Sequence, residues 1–250
     1  MPRELSPPYT PVDHVDTQLA ERGFAVLSPA GLATLAGTGA PPLDGATGHW
    51  DDLPRDPHLR DTGGYRQRRH GSFVARAGVL EPVPHRAHWQ PPEYNALHGG
   101  LERWFEPLAA GLVAAPGWAP LLLALVDRAA RLRDHAGPWF VEAHAFRITT
   151  GEGLGRPTPE GAHRDGVDLV AVVLVDRVAI VGGETRVFEA AGPAGQRFTM
   201  AEPGAALLLD DARVIHESTP IRPAADGAPG HRDTLVLTFR AGGFQDPGTR

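Results

Sequence analysis

The sequence contains no cysteine and no lysine, and only 2 of its 250 residues are methionine. Without thiols the chain has no disulfide, iron–sulfur cluster, thiolate zinc site or cysteine nucleophile, so any metal must rest on histidine and carboxylate. Long hydrophobic runs are also missing. The strongest apolar stretches, such as 120–126, are far too short to span a bilayer. Nor is there a basic stripe: 24 arginines face 30 acidic residues with the signs mixed along the chain, for a net charge of −6, so nucleic acid is not the expected partner. The opening MPRELSPPYTPVDHVD lacks the apolar core of a signal peptide, and the expectation is a soluble, cytoplasmic protein. Nothing in the sequence speaks to oligomeric state.

What is present changes character near residue 137. The Pro-rich residues 1–14 read as a loose arm, and 15–36 as two short helices or a helix and a strand, interrupted by Gly23. Residues 37–62 and 82–100 are rich in loop formers, while 65–80 has the alternation of a strand. Helices are expected over 101–112 and 119–135; in the second, Leu122, Leu125, Val126, Ala129 and Leu132 fall on one face. From 137 to 240, short runs rich in β-branched and aromatic residues are divided by Gly, Pro and Asp turns: 139–148, 168–175, 184–188, 205–209, 214–218 and 234–240. Several short strands at this spacing indicate a sandwich or barrel. With no linker and no repeat, one domain over 1–250 is expected, its β-rich core over 137–240.

The informative segment is PTPEGAHRDGVD, residues 157–168. His163 and Asp165 are two apart, so in an extended strand both point to one face. A third ligand is found in His216 of LLLDDARVIHESTPI. One H-x-D among 12 histidines means little alone. Two histidines and one carboxylate that leave adjacent coordination positions open form the set suited to iron(II) oxygenases. Such a site needs a cation for the far carboxylate of an oxoacid co-substrate, and arginine grips carboxylate through its planar fork. Arg232, in GHRDTLVLTFR, reaches the same cavity if its strand neighbours that of His216; Thr234 and Thr238 follow on one face.

These motifs and their order resemble the Fe(II)/2-oxoglutarate dioxygenases. More narrowly, PTPEGAHRDGVDLVAVVLV, VGGETRVF, LLLDDARVIHESTPI and HRDTLVLTF are similar to the bacterial group that includes the L-isoleucine 4-hydroxylases, as are HWQPPEYNALHGGLERWFEPL and EAHAFRI upstream. The resemblance covers roughly residues 65–240. It implies a mainly β double-stranded β-helix (jelly-roll, cupin-like) with flanking helices, with His163, Asp165 and His216 holding Fe(II) and Arg232 anchoring 2-oxoglutarate, assisted by Thr234. It further implies O2 as co-substrate, succinate and CO2 as co-products, and a small substrate, by analogy a free aliphatic L-amino acid. Two positions depart from the pattern: His231 stands where an aromatic residue is usual, and His70 where tyrosine is.

Other residues are less specific. Arg147, with Glu142 or Asp168, is a candidate for a zwitterionic substrate, as is His144. His144 and Arg147 face opposite sides of a strand unless a bulge intervenes. Tyr94 and Asn95 are candidate pocket caps. Arg66, Arg68 and Arg69 read chiefly as a solvated face, with one of them on a substrate carboxylate as the sharper alternative. Arg164 should point away from the metal. Gly182 and Gly183 read as a hairpin turn, and Asp210 and Asp211 as another. Two rival readings stay open here: a cupin-like isomerase or hydrolase using zinc or manganese, and a non-catalytic binding protein on the same scaffold.

Overall fold

The computed structural model describes residues 5–59, 64–95, 97, 99–151, 153–225 and 228–248. The front half runs α1 (Val15–Arg22), β1 (Phe24–Leu27), α2 (Pro29–Ala36), β2 (Arg66–Arg76), β3 (Val79–Pro82), α3 (Ala110–Val113) and α4 (Trp118–Arg133). The back half is all strand: β4 (Trp139–Thr149), β5 (Leu169–Val178), β6 (Ile180–Gly182), β7 (Thr185–Glu189), β8 (Gly195–Phe198), β9 (Ala206–Asp210), β10 (Val214–Ser218), β11 (Ile221–Pro223) and β12 (His231–Ala241).

Seven strands form one large sheet in the order β1-β9-β5-β12-β4-β2-β3. A smaller layer is made of β10-β7-β8 and the pair β11-β6. Pairing between these strands is antiparallel throughout. This is the double-stranded β-helix with flanking helices that the motifs implied. Among the described residues no helix is long and apolar enough to cross a membrane.

Strand alternation divides the large sheet between two duties. One face presents Phe73, Val141, Ala143, Ala145, Leu169, Ala171, Leu235, Leu237 and Phe239 to the helices, all nearly or wholly buried. The stripe that covers them is Trp118, Leu121, Leu122, Leu125 and Ala129 of α4, at helical spacing. Between residues two apart on these strands lie the side chains of the opposite face. Cross-strand register aligns them in rows: Arg66–Ile148–Arg232, Arg68–Phe146–Thr234 and His70–His144–Val236. Those rows form the floor of a cavity beneath the smaller layer.

Several expectations need correction. Residues 101–109 are not helical. Pro107 interrupts any helix there, and the segment instead runs along β2, with His70 N donating to Glu106 O (3.0 Å) and Leu108 N to His70 O (3.1 Å). Leu101 and Trp104 of this segment are exposed. The amino-terminal arm is not loose over its described part: Thr10 N donates to Val26 O at 2.7 Å, and 12–14 form a 3-10 turn. Residues 15–36 become helix, strand and helix; Gly23 ends α1 at φ +74°, where a Cβ would meet Val214 at 2.7 Å. The pair Gly182–Gly183 is not a hairpin turn, because β6 pairs with β11 whereas β7 pairs with β10 and β8. It carries the chain from one strand pair to the next, with the Gly182 Cα so close to Pro220 O that a Cβ would sit 2.3 Å away. The front half also contributes more sheet than expected, since the eleven-residue β2 pairs along β4. Of the loop expected over 37–62, residues 60–62 lie outside the described residues.

Candidate metal centre and its cavity

His216 sits in β10 with its side chain inward, and His163 faces it across an isolated antiparallel bridge. His163 N donates to His216 O at 3.0 Å, and His216 N to His163 O at 2.9 Å. The ring centroids lie 4.5 Å apart. Asp165 follows two residues on, in a loop rather than in an extended strand. Its Oδ1 is 3.9 Å from His163 Nε2 and its Oδ2 3.8 Å from His216 Nε2. These separations are too long for hydrogen bonds. They suit three donors sharing one ion at bonds of about 2 Å.

What shapes the loop is Asp211. Its buried carboxylate accepts from three successive backbone N–H groups: Asp165 (2.9 Å, on Oδ1), Gly166 (2.7 Å) and Val167 (3.1 Å), both on Oδ2. A simple turn was expected at 210–211; the turn is there, and one of its acids organises the triad. Gly161 O accepts from His163 Nδ1–H at 3.0 Å, which leaves the Nε2 lone pair for a metal. Gln90 Nε2 donates to Asp165 Oδ1 at 3.2 Å.

The electrostatics call for a cation. Burial pushes Asp165 up from the usual carboxylate range. Burial and the neighbouring Asp165 carboxylate push Asp211 up to about 7. Glu160 Oε1 stands 3.7 Å from His163 Nε2, and its Oε2 has no partner among the described residues. His163 is raised despite burial, which acts the other way, because Asp165 and Glu160 flank it. Burial and the neighbouring His163 hold His216 well below the usual imidazole range. Acids crowded in a dry site beside two imidazoles fit a divalent ion of the iron, manganese or zinc type.

The triad opens into a cavity of about 130 Å³. That size admits only small ligands. Arg232 enters from β12 in the large sheet, not from a neighbour of the His216 strand as expected. It faces the triad from the opposite layer. Its side chain is buried, its Nε has no partner among the described residues, and burial together with Arg177 pulls it down to about 10. Thr234, Thr238 and His144 line the same cavity, as foreseen, and so does Asn95.

Three other candidates do not. Arg147 points to the far side of β4, where Asp233 accepts from its Nε at 2.8 Å and Nη2 at 2.7 Å. Asp168 accepts from Arg133 Nε at 2.9 Å and from Ala241 N at 2.8 Å, away from the cavity. Tyr94 lines an adjacent surface groove, its ring 5.8 Å from the Arg164 guanidinium. Strand parity had already put Arg147 opposite His144, and parity wins. Arg164 points away from the triad, as expected, onto Ala212 O.

The cavity also holds residues that the sequence placed elsewhere or did not single out. Arg66 and Arg68, read as a solvated face, are buried and line it. Their even positions on β2 were the available signal. Arg103, His88 and Gln90 arrive from the long 82–109 segment, joined by the His88–Arg103 bridge. No periodicity announces them.

Behind His144 lies a second cluster that could by composition ligate a metal: His70, His88, Glu142 and His144. Here cations already occupy the donors. Arg68 Nη2 donates to His144 Nδ1 at 2.7 Å, and Arg86 Nη1 to Glu142 Oε1 at 3.3 Å. His70 and His88 bond the two Glu142 oxygens at 3.2 and 3.1 Å. Burial would raise Glu142, but His88 and His70 hold it well below the usual range. Burial depresses all three histidines, His88 to about 4. The cluster is a hydrogen-bonded block that fixes the cavity wall. The third group, Asp176, His231 and Asp233, is tied to Arg147 on the other side of the sheet.

Solved structures share this architecture. A bsmA homolog from Methylobium petroleophilum PM1 is 53% identical, with 97% of this chain and 98% of that one covered at a TM-score of 0.91. Two more distant structures share the fold: IDO from Bacillus thuringiensis (16% identity, 93% and 99% covered, TM-score 0.71) and the Fe(II)/α-ketoglutarate-dependent dioxygenase TqaL (17%, 92% and 86%, TM-score 0.68). No curated protein matches the chain. The family model described as 2OG-Fe dioxygenase matches residues 47–238, a span that takes in β2, the triad and Arg232. The chain therefore belongs to the 2OG-Fe dioxygenase family, which uses Fe(II), 2-oxoglutarate and O2.

Proposed function

We propose that this dioxygenase hydroxylates an unactivated C–H bond of a free amino acid, with His163, Asp165 and His216 holding Fe(II) and Arg232 anchoring 2-oxoglutarate. The observation that carries the reading is the pairing, within one small cavity, of an acid-surrounded His-Asp-His triad and a buried arginine on the facing layer. The iron, with 2-oxoglutarate and O2, supplies an oxidant strong enough to take a hydrogen atom from carbon, with succinate and CO2 as co-products.

The chain's own residues bind, orient and enclose. Asp211 holds the loop that presents Asp165, and Gly161 O sets the His163 tautomer. Arg232, with Thr234 beside it, offers the distal carboxylate a cation where water is excluded. Val172, Val236, Phe146 and Ile148 give the reacting region an apolar lining that an aggressive oxidant requires. A zinc isomerase or a binding protein on this scaffold would leave the buried Arg232 without a task. The aliphatic side chain expected of the substrate finds less support, because the cavity wall away from these residues is polar.

The test is a screen of the standard amino acids with Fe(II), 2-oxoglutarate and ascorbate, read as succinate formed together with a mass gain of one oxygen. His163→Ala and Asp165→Ala should each abolish turnover and metal uptake. Normal turnover in the Asp165 variant would end the assignment.

A further inference from the structure

The two peptide groups that follow Asp165 are each gripped at both ends. On one side, Asp211 Oδ2 accepts from Gly166 N–H and Val167 N–H. On the other, Gln245 Nε2 donates to Asp165 O at 3.1 Å and to Gly166 O at 2.9 Å. A peptide group is planar, so holding its N–H and its C=O together fixes the plane. The backbone dihedral that joins Asp165 to that plane is fixed with it, and so is the direction of the carboxylate. Asp211 alone would leave each plane able to rock about its N–H bond. The contact is close as well as polar: a Cβ on Gly166, at φ +76°, would meet the Tyr94 ring at 2.4 Å and Gln245 Nε2 at 2.8 Å.

Gln245 is buried, and it reaches the triad loop from a short strap that leaves the end of β12. Gly242 and Gly243, at φ +79° and +138°, turn the chain out of the strand. Arg240 Nη1 donates to Gly243 O at 2.8 Å and to Phe244 O at 3.2 Å. The Phe244 ring stands against Phe140, centroids 5.1 Å apart, and 4.2 Å from the Arg86 guanidinium. Arg86 Nη2 donates to Gln245 O at 3.4 Å and to the Asp246 carboxylate, while its Nη1 holds Glu142 in the cavity wall. None of the three hydrophobic clusters takes a side chain from residues 242–246. The core does not need the strap, and the side-chain amide of Gln245 is spent on the triad loop.

We infer that Gln245 is a positioning residue for the metal ligand Asp165, and that docking of the strap 244–246 is linked to metal uptake. This rests on the reading of His163, Asp165 and His216 as the iron ligands. Linkage is reciprocal: whatever factor the docked strap adds to metal affinity, the metal adds to docking of the strap.

The experiment has two arms, both on the full chain without oxygen. In the first, Fe(II) affinity is titrated in Gln245→Met, which keeps the length of the side chain but has no N–H, and in Gln245→Glu, which sets carboxylate oxygens against two carbonyls. Iron affinity should fall about 10–100-fold in the first variant and further in the second. The visible absorption of the Co(II)-loaded variants should shift from that of the wild type, which a merely structural role would not produce. In the second arm, chymotryptic cleavage after Phe244 in the wild-type protein should slow severalfold when Fe(II) is bound. That arm decides even if a variant does not fold. Folded Gln245→Met with unchanged iron affinity and an unchanged Co(II) spectrum, or equal cleavage with and without iron, overturns this inference and leaves the oxygenase reading in place. Wild-type protein that takes up no iron overturns that reading and this inference with it.

Discussion

Replacing Asp211 with asparagine tests whether the triad is held from behind. The Asp211 carboxylate accepts three backbone N–H bonds, at 2.9, 2.7 and 3.1 Å, on a side chain that is 2% exposed. Asparagine has the same shape but only one acceptor oxygen. Whichever way its amide lies, at least one N–H of the 165–167 loop meets an NH2 group and goes unsatisfied. Above about pH 7, where Asp211 is ionised, bonds to its charged acceptor contribute about 1.5–3 kcal/mol each, and a buried donor left unpaired costs a further 1–3 kcal/mol or so. A loss of about 2–4 kcal/mol follows, which for a chain of this size lowers Tm by roughly 4–16 °C. Because the loop carries Asp165, metal affinity should fall about 10–100-fold, the usual cost of losing a group that orients a ligand. Differential scanning calorimetry reads the first effect, and anaerobic Fe(II) titration the second. An Asp211→Asn protein with unchanged Tm and unchanged iron affinity would refute the claim that this carboxylate organises the site.

Two further outcomes follow from the same geometry. Arg232→Ala should weaken 2-oxoglutarate binding about 10–150-fold, the equivalent of a charge-assisted bond of about 1.5–3 kcal/mol, while iron uptake persists; a 2-oxoglutarate titration showing less than a threefold change would contradict the anchor. His88 is held at about 4 by burial, so the unfolded chain binds a proton that the native state excludes. Its stabilising contribution is complete above about pH 6.5 and is lost as the pH falls toward 4, about 2 kcal/mol of it by pH 5. His88→Gln keeps a donor for Glu142 but does not titrate. Urea unfolding should therefore show a smaller loss between pH 7 and 5 in the variant by about that amount, and equal losses would exclude the mechanism.

The long strands, the triad and Arg232 were readable in the sequence because each depends on local or periodic information. Runs rich in β-branched and aromatic residues over 139–148 and 234–240 fall within the strands Trp139–Thr149 and His231–Ala241. The His163-x-Asp165 spacing, the β-strand of His216 and the cation downstream form a pattern of residue types in order. Even the opposite orientations of His144 and Arg147 followed from parity. The helix expected over 101–112 is absent up to residue 109 because Pro107 and the hydrogen bonds to His70 impose an extended path.

What only the tertiary structure decided is which charges are buried and what faces them. YRQRRHG has the composition of a solvated surface. It becomes a cavity floor because β2 is paired along one edge with β4 and bonded at His70 to the 82–109 segment along the other, which leaves Arg66 and Arg68 buried on the cavity face. The role of Asp211 depends on three backbone N–H groups more than forty residues away in sequence. Burial and long-range pairing set the cost of a charge, and neither is encoded within a window of neighbouring residues. The order of residue types in the sequence therefore pointed to the triad, while the burial of Arg66, Arg68 and Arg103 came from the fold.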